Sequence, residues 1–113
     1  MHELAIVQSI ISIVNSESEK SGFDTVKEIS LKIGEFSGIV PSCIREYFPI
    51  AAKGSKAEDA EILMEIIPAK FSCSDCGYEG AADRKDFCCP ECRSTALKMI
   101  SGREFFVESL KVE

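Results

Sequence analysis

The 113-residue chain carries 13 basic and 19 acidic residues, a formal net charge of −6, and 45% hydrophobic residues. That length and apolar content suit one modest domain, or one domain with a small metal-stapled appendage. The acidic balance argues against capture of phosphate backbones, because counterion release needs clustered Lys and Arg.

At the start of the chain His2, the only histidine, stands beside the terminal amine. A terminal amine, the main-chain nitrogens after it and an imidazole can close chelate rings around one metal in a plane. That geometry suits Ni²⁺ or Cu²⁺ better than tetrahedral Zn²⁺, and the Met1 amine, His2 and Glu3 would form one compact ligand set. A plainer reading stands beside it, with His2 an incidental exposed residue and Glu3 a carboxylate favoured at a helix N-terminus. No Lys or Arg precedes Lys20, so a cationic signal-peptide region is missing and no apolar run reaches membrane-span length. The expected location is the cytoplasm, where cysteines serve as metal ligands or buried thiols rather than disulfides.

Over 3–20, Leu4, Val7, Ile11 and Val14 recur at helical spacing, and Ile6, Ile10 and Ile13 widen the apolar stripe. Ser21-Gly22 ends this helix. A strand over 23–33 follows, with Phe23, Thr25, Ile29, Leu31 and Ile33 on one face and Glu28, Ser30 and Lys32 on the other. Residues 34–40 read as a turn region. Pro41 then opens a second helix whose buried face is Ile44, Tyr47, Phe48 and Ala51, with Cys43 at its margin. Pro49 predicts a kink or an early stop, since it removes a donor and crowds the Arg45 carbonyl. A second strand spans 61–67, closed by Pro68, and a third is expected beyond Ser101-Gly102, with Phe105 and Val107 on one side and Phe106, Leu110 and Val112 on the other. Glu28, Glu35, Glu58, Asp59 and Glu61 read as solvated charge on loops and outer strand faces.

Between the second and third strands lie Cys73, Cys76, Cys89 and Cys92, two Cys-x-x-Cys pairs separated by twelve residues. Each pair places two thiolates on one tight turn, and a tetrahedral ion about 2.3 Å from each sulfur joins the turns. Apolar residues over 71–101 are too few and scattered for a core. Metal binding would therefore supply the folding energy, on the order of 10–16 kcal/mol. Four thiolates leave no open position for water or substrate, so the ion is expected to be structural zinc. Cys88 sits one residue off register and reads as a neighbouring thiol that packs or stays free. Two alternatives remain open on the residues alone. Tetrahedral sulfur also accepts iron, as in a rubredoxin-like electron carrier. A zinc-ribbon interaction module is the other, although Arg84, Lys85, Arg93 and Lys98 against five acidic residues over 71–102 disfavour nucleic acid. Neither a Gly-rich phosphate loop nor a Ser-His-Asp constellation is present, so the chain reads as a non-enzyme.

The expected architecture is α+β: a small three-stranded sheet with two helices, plus an inserted four-cysteine zinc-knuckle or zinc-ribbon module. The expected domains are 1–68 with 103–113, and the insert 69–102.

Taken together, several features resemble the HypA family of nickel metallochaperones, which mature nickel-iron hydrogenase and, in some organisms, urease. They are Met1-His2-Glu3-Leu4, Leu31-Lys32-Ile33-Gly34-Glu35, the two cysteine pairs, and the closing Ser109-Leu110-Lys111-Val112-Glu113. The resemblance implies Ni(II) as transient cargo at the N-terminus, held by the His2 imidazole, the main-chain nitrogens of His2 and Glu3, and the Met1 amine. It also implies structural zinc on Cys73, Cys76, Cys89 and Cys92. Implied partners are the nickel-pathway GTPase HypB, the hydrogenase large subunit and urease accessory proteins, with a monomer or homodimer as the working form. The chain departs from some family members in having no histidine beside its zinc cysteines.

Overall fold

The computed structural model describes residues 3–113. The first helix, α1, runs Glu3–Ser21 and buries Val7, Ile10 and Val14 completely. That stripe is narrower than the sequence pattern predicts, for Leu4 and Ile13 stay 48% and 39% exposed. One turn further on, Ser18 is buried too. Its hydroxyl donates to the Phe23 carbonyl at 2.7 Å and accepts from the Lys56 ammonium, so the buried polar group is satisfied.

Strand β1, Val26–Gly34, starts later than expected, leaving Phe23 and Thr25 outside it. Ile29, Leu31 and Ile33 are buried in strict alternation, and Val26 adds a fourth buried side chain one step out of phase. Helix α2 covers Pro41–Ala52 and continues past Pro49 instead of stopping there. The ring costs the helix one donor, but only three residues from its end, where few intrahelical bonds remain to lose. Its buried row is Ile44, Phe48 and Ala52, spaced by four residues, while Tyr47 is 38% exposed. The two helices pack on each other. Strand β2 is Glu61–Ile67, as the sequence predicts.

The cysteine-bearing stretch holds three strands that periodicity does not reveal: β3, Lys70–Cys73, β4, Glu79–Gly80, and β5, Leu97–Ser101. The last strand, β6, is Phe105–Val112. One sheet has the order β2-β1-β6, the other β4-β3-β5. In the second sheet both pairings are antiparallel, with Ser72 opposite Glu79 and Cys73 opposite Leu97. The fold is therefore α+β, with two helices among the described residues and a three-stranded sheet, to which a small ribbon bearing the four cysteines is added.

Two compact units result. The first comprises residues up to Lys32, Ile39–Glu65 and Phe106–Glu113; the second comprises Ile33–Gly38 and Ile66–Phe105. The first is cored by Val7, Ile10, Val14, Val26, Ile29, Leu31, Ile44, Phe48 and Ile62. At such sites each large side chain taken from water contributes roughly 1.5–3 kcal/mol. In the second unit three passes of backbone meet. The Gly34 amide donates to the Glu104 carbonyl at 2.6 Å, the Phe36 amide to the Gly102 carbonyl at 2.6 Å, and the Glu35 amide to the Ile67 carbonyl at 2.9 Å. Glycine is required there. A β-carbon on Gly34 would lie 2.3 Å from the Gly102 oxygen, and one on Gly102, at φ +120°, 2.7 Å from the Ala69 α-carbon.

Candidate metal centre

Each cysteine pair sits on the same backbone device. In the first turn, the Cys73 amide donates to the Tyr78 carbonyl at 2.8 Å and the Gly77 amide returns to the Cys73 carbonyl at 2.9 Å. In the second, the Cys89 amide donates to the Ser94 carbonyl at 2.8 Å and the Arg93 amide to the Cys89 carbonyl at 2.9 Å. The residue after each second cysteine must adopt the left-handed conformation, and it does, Gly77 at φ +80° and Arg93 at φ +64°. The Glu91 amide points at the Cys89 sulfur, 3.4 Å away. The turns are joined sideways: the Ser94 hydroxyl donates to the Asp75 carboxylate, and the Ser74 amide donates to the Ala96 carbonyl at 3.1 Å.

These turns bring the sulfurs of Cys73, Cys76, Cys89 and Cys92 within 4.8 Å of one another. Cys73 to Cys92 and Cys76 to Cys89 are both 3.6 Å. A tetrahedron of sulfurs about 2.3 Å from a central zinc has an edge of about 3.8 Å. The donor set and its spacing thus fit a tetrahedral thiolate-bound ion. Cys88 is buried but lies outside the cluster, and Cys43 is a half-buried free thiol on α2.

Cys73, Cys76 and Cys92 do not ionise alike. Burial opposes charge on Cys73, but the Cys76 and Asp75 amides and the Cys92 and Cys76 thiols outweigh it and bring its pKa down to about 7. At Cys92 the Ser94 amide favours the thiolate. Burial and the thiols of Cys76, Cys73 and Cys89 overcome that and push it up to about 12. Cys76 is raised as well, its Tyr78 amide outweighed by burial and the Cys89 thiol. A thiolate thus forms readily at Cys73, while charge is resisted at Cys76 and Cys92. A divalent cation among the sulfurs would supply the countercharge that lets thiolates gather there.

A brace that the sequence reading missed holds the second turn. Arg93 reaches both Asp83, at 2.8 Å, and Asp86, at 2.6 Å. The amides of Lys85 and Asp86 also donate to the Asp83 carboxylate, and with Arg93 they hold its pKa below the usual carboxylate value. The available signal was the pairing of Gly77 with Arg93: a non-glycine at a left-handed position needs compensation. Glu35, read from sequence as solvated, accepts from the Ala69 amide at 2.8 Å and pairs with Arg84 at 2.6 Å. Beside it Phe36, Phe71 and Phe87 form a ring cluster, with Phe71 edge-on to Phe87 at 5.2 Å between centroids.

At the other end of the chain, Met1 and His2 lie outside the described residues, and Glu3 opens α1, half-buried. The suggested nitrogen ligand set is therefore represented here by Glu3 alone.

Fold and sulfur cluster together define a small metal-binding α+β protein with a thiolate ribbon. A profile of the HypA family, described as hydrogenase/urease nickel incorporation, metallochaperone, matches residues 1–112. Among curated relatives, "Hydrogenase maturation factor HypA" from Chlorobium limicola is 37% identical over 113 residues, covering all of this chain and 97% of that protein. The protein of the same name from Aquifex aeolicus is 34% identical over 113 residues, covering all of this chain and 98% of its own. The solution structure of the Ni metallochaperone HypA from Helicobacter pylori superposes with a TM-score of 0.70 at 24% identity. That alignment covers 99% of this chain and 97% of that one, a likeness of fold. The chain belongs to the HypA family. No helix among the described residues is long and apolar enough to cross a membrane.

Proposed function

We propose that this chain is a nickel metallochaperone, not an enzyme, that binds Ni(II) at Met1, His2 and Glu3 and delivers it for maturation of nickel-iron hydrogenase, with urease as a second recipient. The reading rests on a family match that spans residues 1–112 and coincides with a clustered four-sulfur site. The unit that comprises residues up to Lys32, Ile39–Glu65 and Phe106–Glu113 would serve nickel, and the unit of Ile33–Gly38 and Ile66–Phe105 would hold zinc. The working location is the cytoplasm, and the partners are the GTPase HypB and the hydrogenase large subunit.

Cys73, Cys76, Cys89 and Cys92 would hold zinc. Bound there, zinc supplies a cross-link between the two turns and has no open position for chemistry. Nickel is cargo and must leave. The positive end of the α1 dipole opposes a cation beside Glu3 by roughly 0.3–1 kcal/mol, which deprotonated main-chain amides would offset. Protons compete for the same nitrogens, since an α-amine titrates near pH ~8 and an imidazole near ~6.5. Nickel affinity therefore falls with pH.

The test is nickel titration of protein with a native, untagged N-terminus, beside His2→Ala. The expected result is one nickel per chain in the parent, loss of that binding in His2→Ala, and unchanged zinc content in both. Equal nickel affinity and stoichiometry in the two proteins would reject the assignment.

A further inference from the structure

Each Cys-x-x-Cys turn supplies two of the clustered sulfurs, Cys73 with Cys76 and Cys89 with Cys92. In a tetrahedron those two sulfur pairs cross at right angles, while in a square they lie in one plane. Passing from one to the other therefore needs the second turn to twist against the first. Zn(II) has no geometric preference from its d-electrons, whereas Ni(II) gains from a flattened arrangement. Resistance to the twist thus costs Ni(II) and spares Zn(II).

The loop over 81–88 supplies that resistance. It leaves β4, which pairs with β3, the strand that ends in Cys73. The Tyr78 hydroxyl pins its start by donating to the Ala81 carbonyl at 2.9 Å, and near its end the Phe87 ring stands edge-on to Phe71 of β3. Asp83 joins this loop to the second turn on both sides. Its amide donates to the Cys88 carbonyl at 2.9 Å, just ahead of Cys89, and its carboxylate accepts from the guanidinium of Arg93, the residue after Cys92, at 2.8 Å. The other Arg93 nitrogen donates to Asp86 at 2.6 Å. Among the described residues the non-glycines at positive φ are Phe87, at +50°, and Arg93, at +64°, and both belong to this brace. Side chains are strained there. At the matching place in the first turn stands Gly77, for which the conformation is free of strain. Arginine at 93 therefore carries a cost that glycine would remove, and what it adds is its hold on Asp83 and Asp86.

We infer that Asp83 and Arg93 are positioning residues for metal choice: they fix the second turn against β3, so that the sulfurs stay tetrahedral and Ni(II) is turned away from the zinc site. A nickel carrier needs this, since its cargo would otherwise compete for its own structural thiolates. The inference rests on the nickel-carrier reading for its purpose, but the preference itself belongs to the sulfur-stapled unit and is measured without the N-terminal site.

The experiment equilibrates full-length protein in a His2→Ala background with Zn(II) and Ni(II) together, and separately with Zn(II) and Co(II). Nickel among the sulfurs is read from its thiolate charge-transfer absorption, which nitrogen ligands do not give, and bound zinc from metal analysis. In Arg93→Gly and Asp83→Asn the preference of the sulfur site for zinc over nickel should fall by about tenfold or more, the scale on which outer partners of metal ligands act. Arg93→Lys, which keeps the charge but not the two-pronged contact, should fall less. The preference for zinc over cobalt, which shares the tetrahedral habit, should stay unchanged in every variant. Should Arg93→Gly hold no metal, the ratio in Asp83→Asn decides, because asparagine keeps the shape and an acceptor for the Lys85 and Asp86 amides. An unchanged zinc-to-nickel ratio, an equal loss for all three metals, or loss of all metal in both variants would overturn the inference, leaving the brace a purely structural one. The nickel titration of the native N-terminus tests the carrier reading separately, so either can fail alone.

Discussion

The two units of this chain are held by different physics. Helices α1 and α2 and the sheet β2-β1-β6 close over aliphatic side chains, whereas the unit built on β4-β3-β5 has Cys73, Cys88 and Cys89 among its few buried residues, with Ile33, Phe71 and Ala69. A core of that size cannot offset the entropy of ordering some forty residues, at roughly 1–2 kcal/mol each for the backbone alone. Its closure is a matter of four sulfurs and the cation they would share. The lesson is that one chain of this length can divide its stability between a solvent-driven device and a coordination-driven one, and the two should fail under different insults.

Metal removal should give the largest effect. A strong chelator at mildly acidic pH, or Cys89→Ala, should release zinc and abolish amide protection over 70–101. The forfeited binding energy is on the order of 10 kcal/mol, while protection in α1 and β1 persists. Cys88→Ala is the control that sharpens the contrast. Its thiol is buried but outside the cluster, so zinc content should stay at one per chain with a loss of about 1 kcal/mol. If Cys88→Ala loses zinc and Cys89→Ala keeps it, the ligand assignment is wrong.

Ile10→Ala runs the comparison in reverse. Ile10 is completely buried, and truncation should cost about 2–5 kcal/mol through lost transfer and a residual cavity. Denaturant melting followed by far-ultraviolet dichroism should show the drop, with zinc content unchanged.

How much of this was legible in the sequence depended on which force dominates locally. The first unit announced itself because aliphatic periodicity both forms and reports a core. Val7, Ile10 and Val14 were in the expected stripe, and Glu61–Ile67 was found as read. The errors lie where pattern and burial part company. Leu4 and Ile13 continue the helical period but stay exposed, and Pro49 near a helix end removes too little to stop it. The cysteine pairs were equally plain, because a metal needs ligand types at fixed spacing and tolerates almost anything between. For the same reason the rest of that unit was hidden. Strands of four, two and five residues carry no measurable alternation, and the turn-like segment 33–38 gave no sign that it belongs with the sulfur-bearing unit. Arg93, holding Asp83 and Asp86 from a left-handed position, could be found only by comparing the two turns side by side. The nitrogen site suggested at Met1 and His2 remains a sequence argument, since those residues lie outside the described ones.

A smaller effect is expected at the junction of backbone passes inside the second unit. Gly102→Ala places a β-carbon 2.7 Å from the Ala69 α-carbon at φ +120°, so overlap and left-handed strain should together cost about 1–3 kcal/mol. Zinc should still bind, but exchange at 101–105 should quicken. Slow exchange with parent-like stability would mean the passes can separate without loss.

The smallest effect is expected at Glu35, and its value lies in its sign. The Arg84 guanidinium, and after it the Ala69 amide, hold the Glu35 carboxyl below the usual carboxylate value, so the folded unit prefers the ionised form. A carboxyl depressed in this way stabilises the fold fully above its unfolded pKa, near ~4.3, and the contribution is lost as pH falls through the lower folded value. Glu35→Gln keeps an acceptor for the Ala69 amide while removing the charge that Arg84 reads. Thiolate protonation in acid destabilises parent and variant alike, so the informative quantity is the difference between them. That difference should be steady above about pH 5, shrink below it, and diminish with added salt, because Arg84 is 66% exposed. A difference that does not change with pH would mean that the segment bearing Glu35 is held by its backbone bonds to Ile67, Gly102 and Glu104, and that the ion pair is incidental.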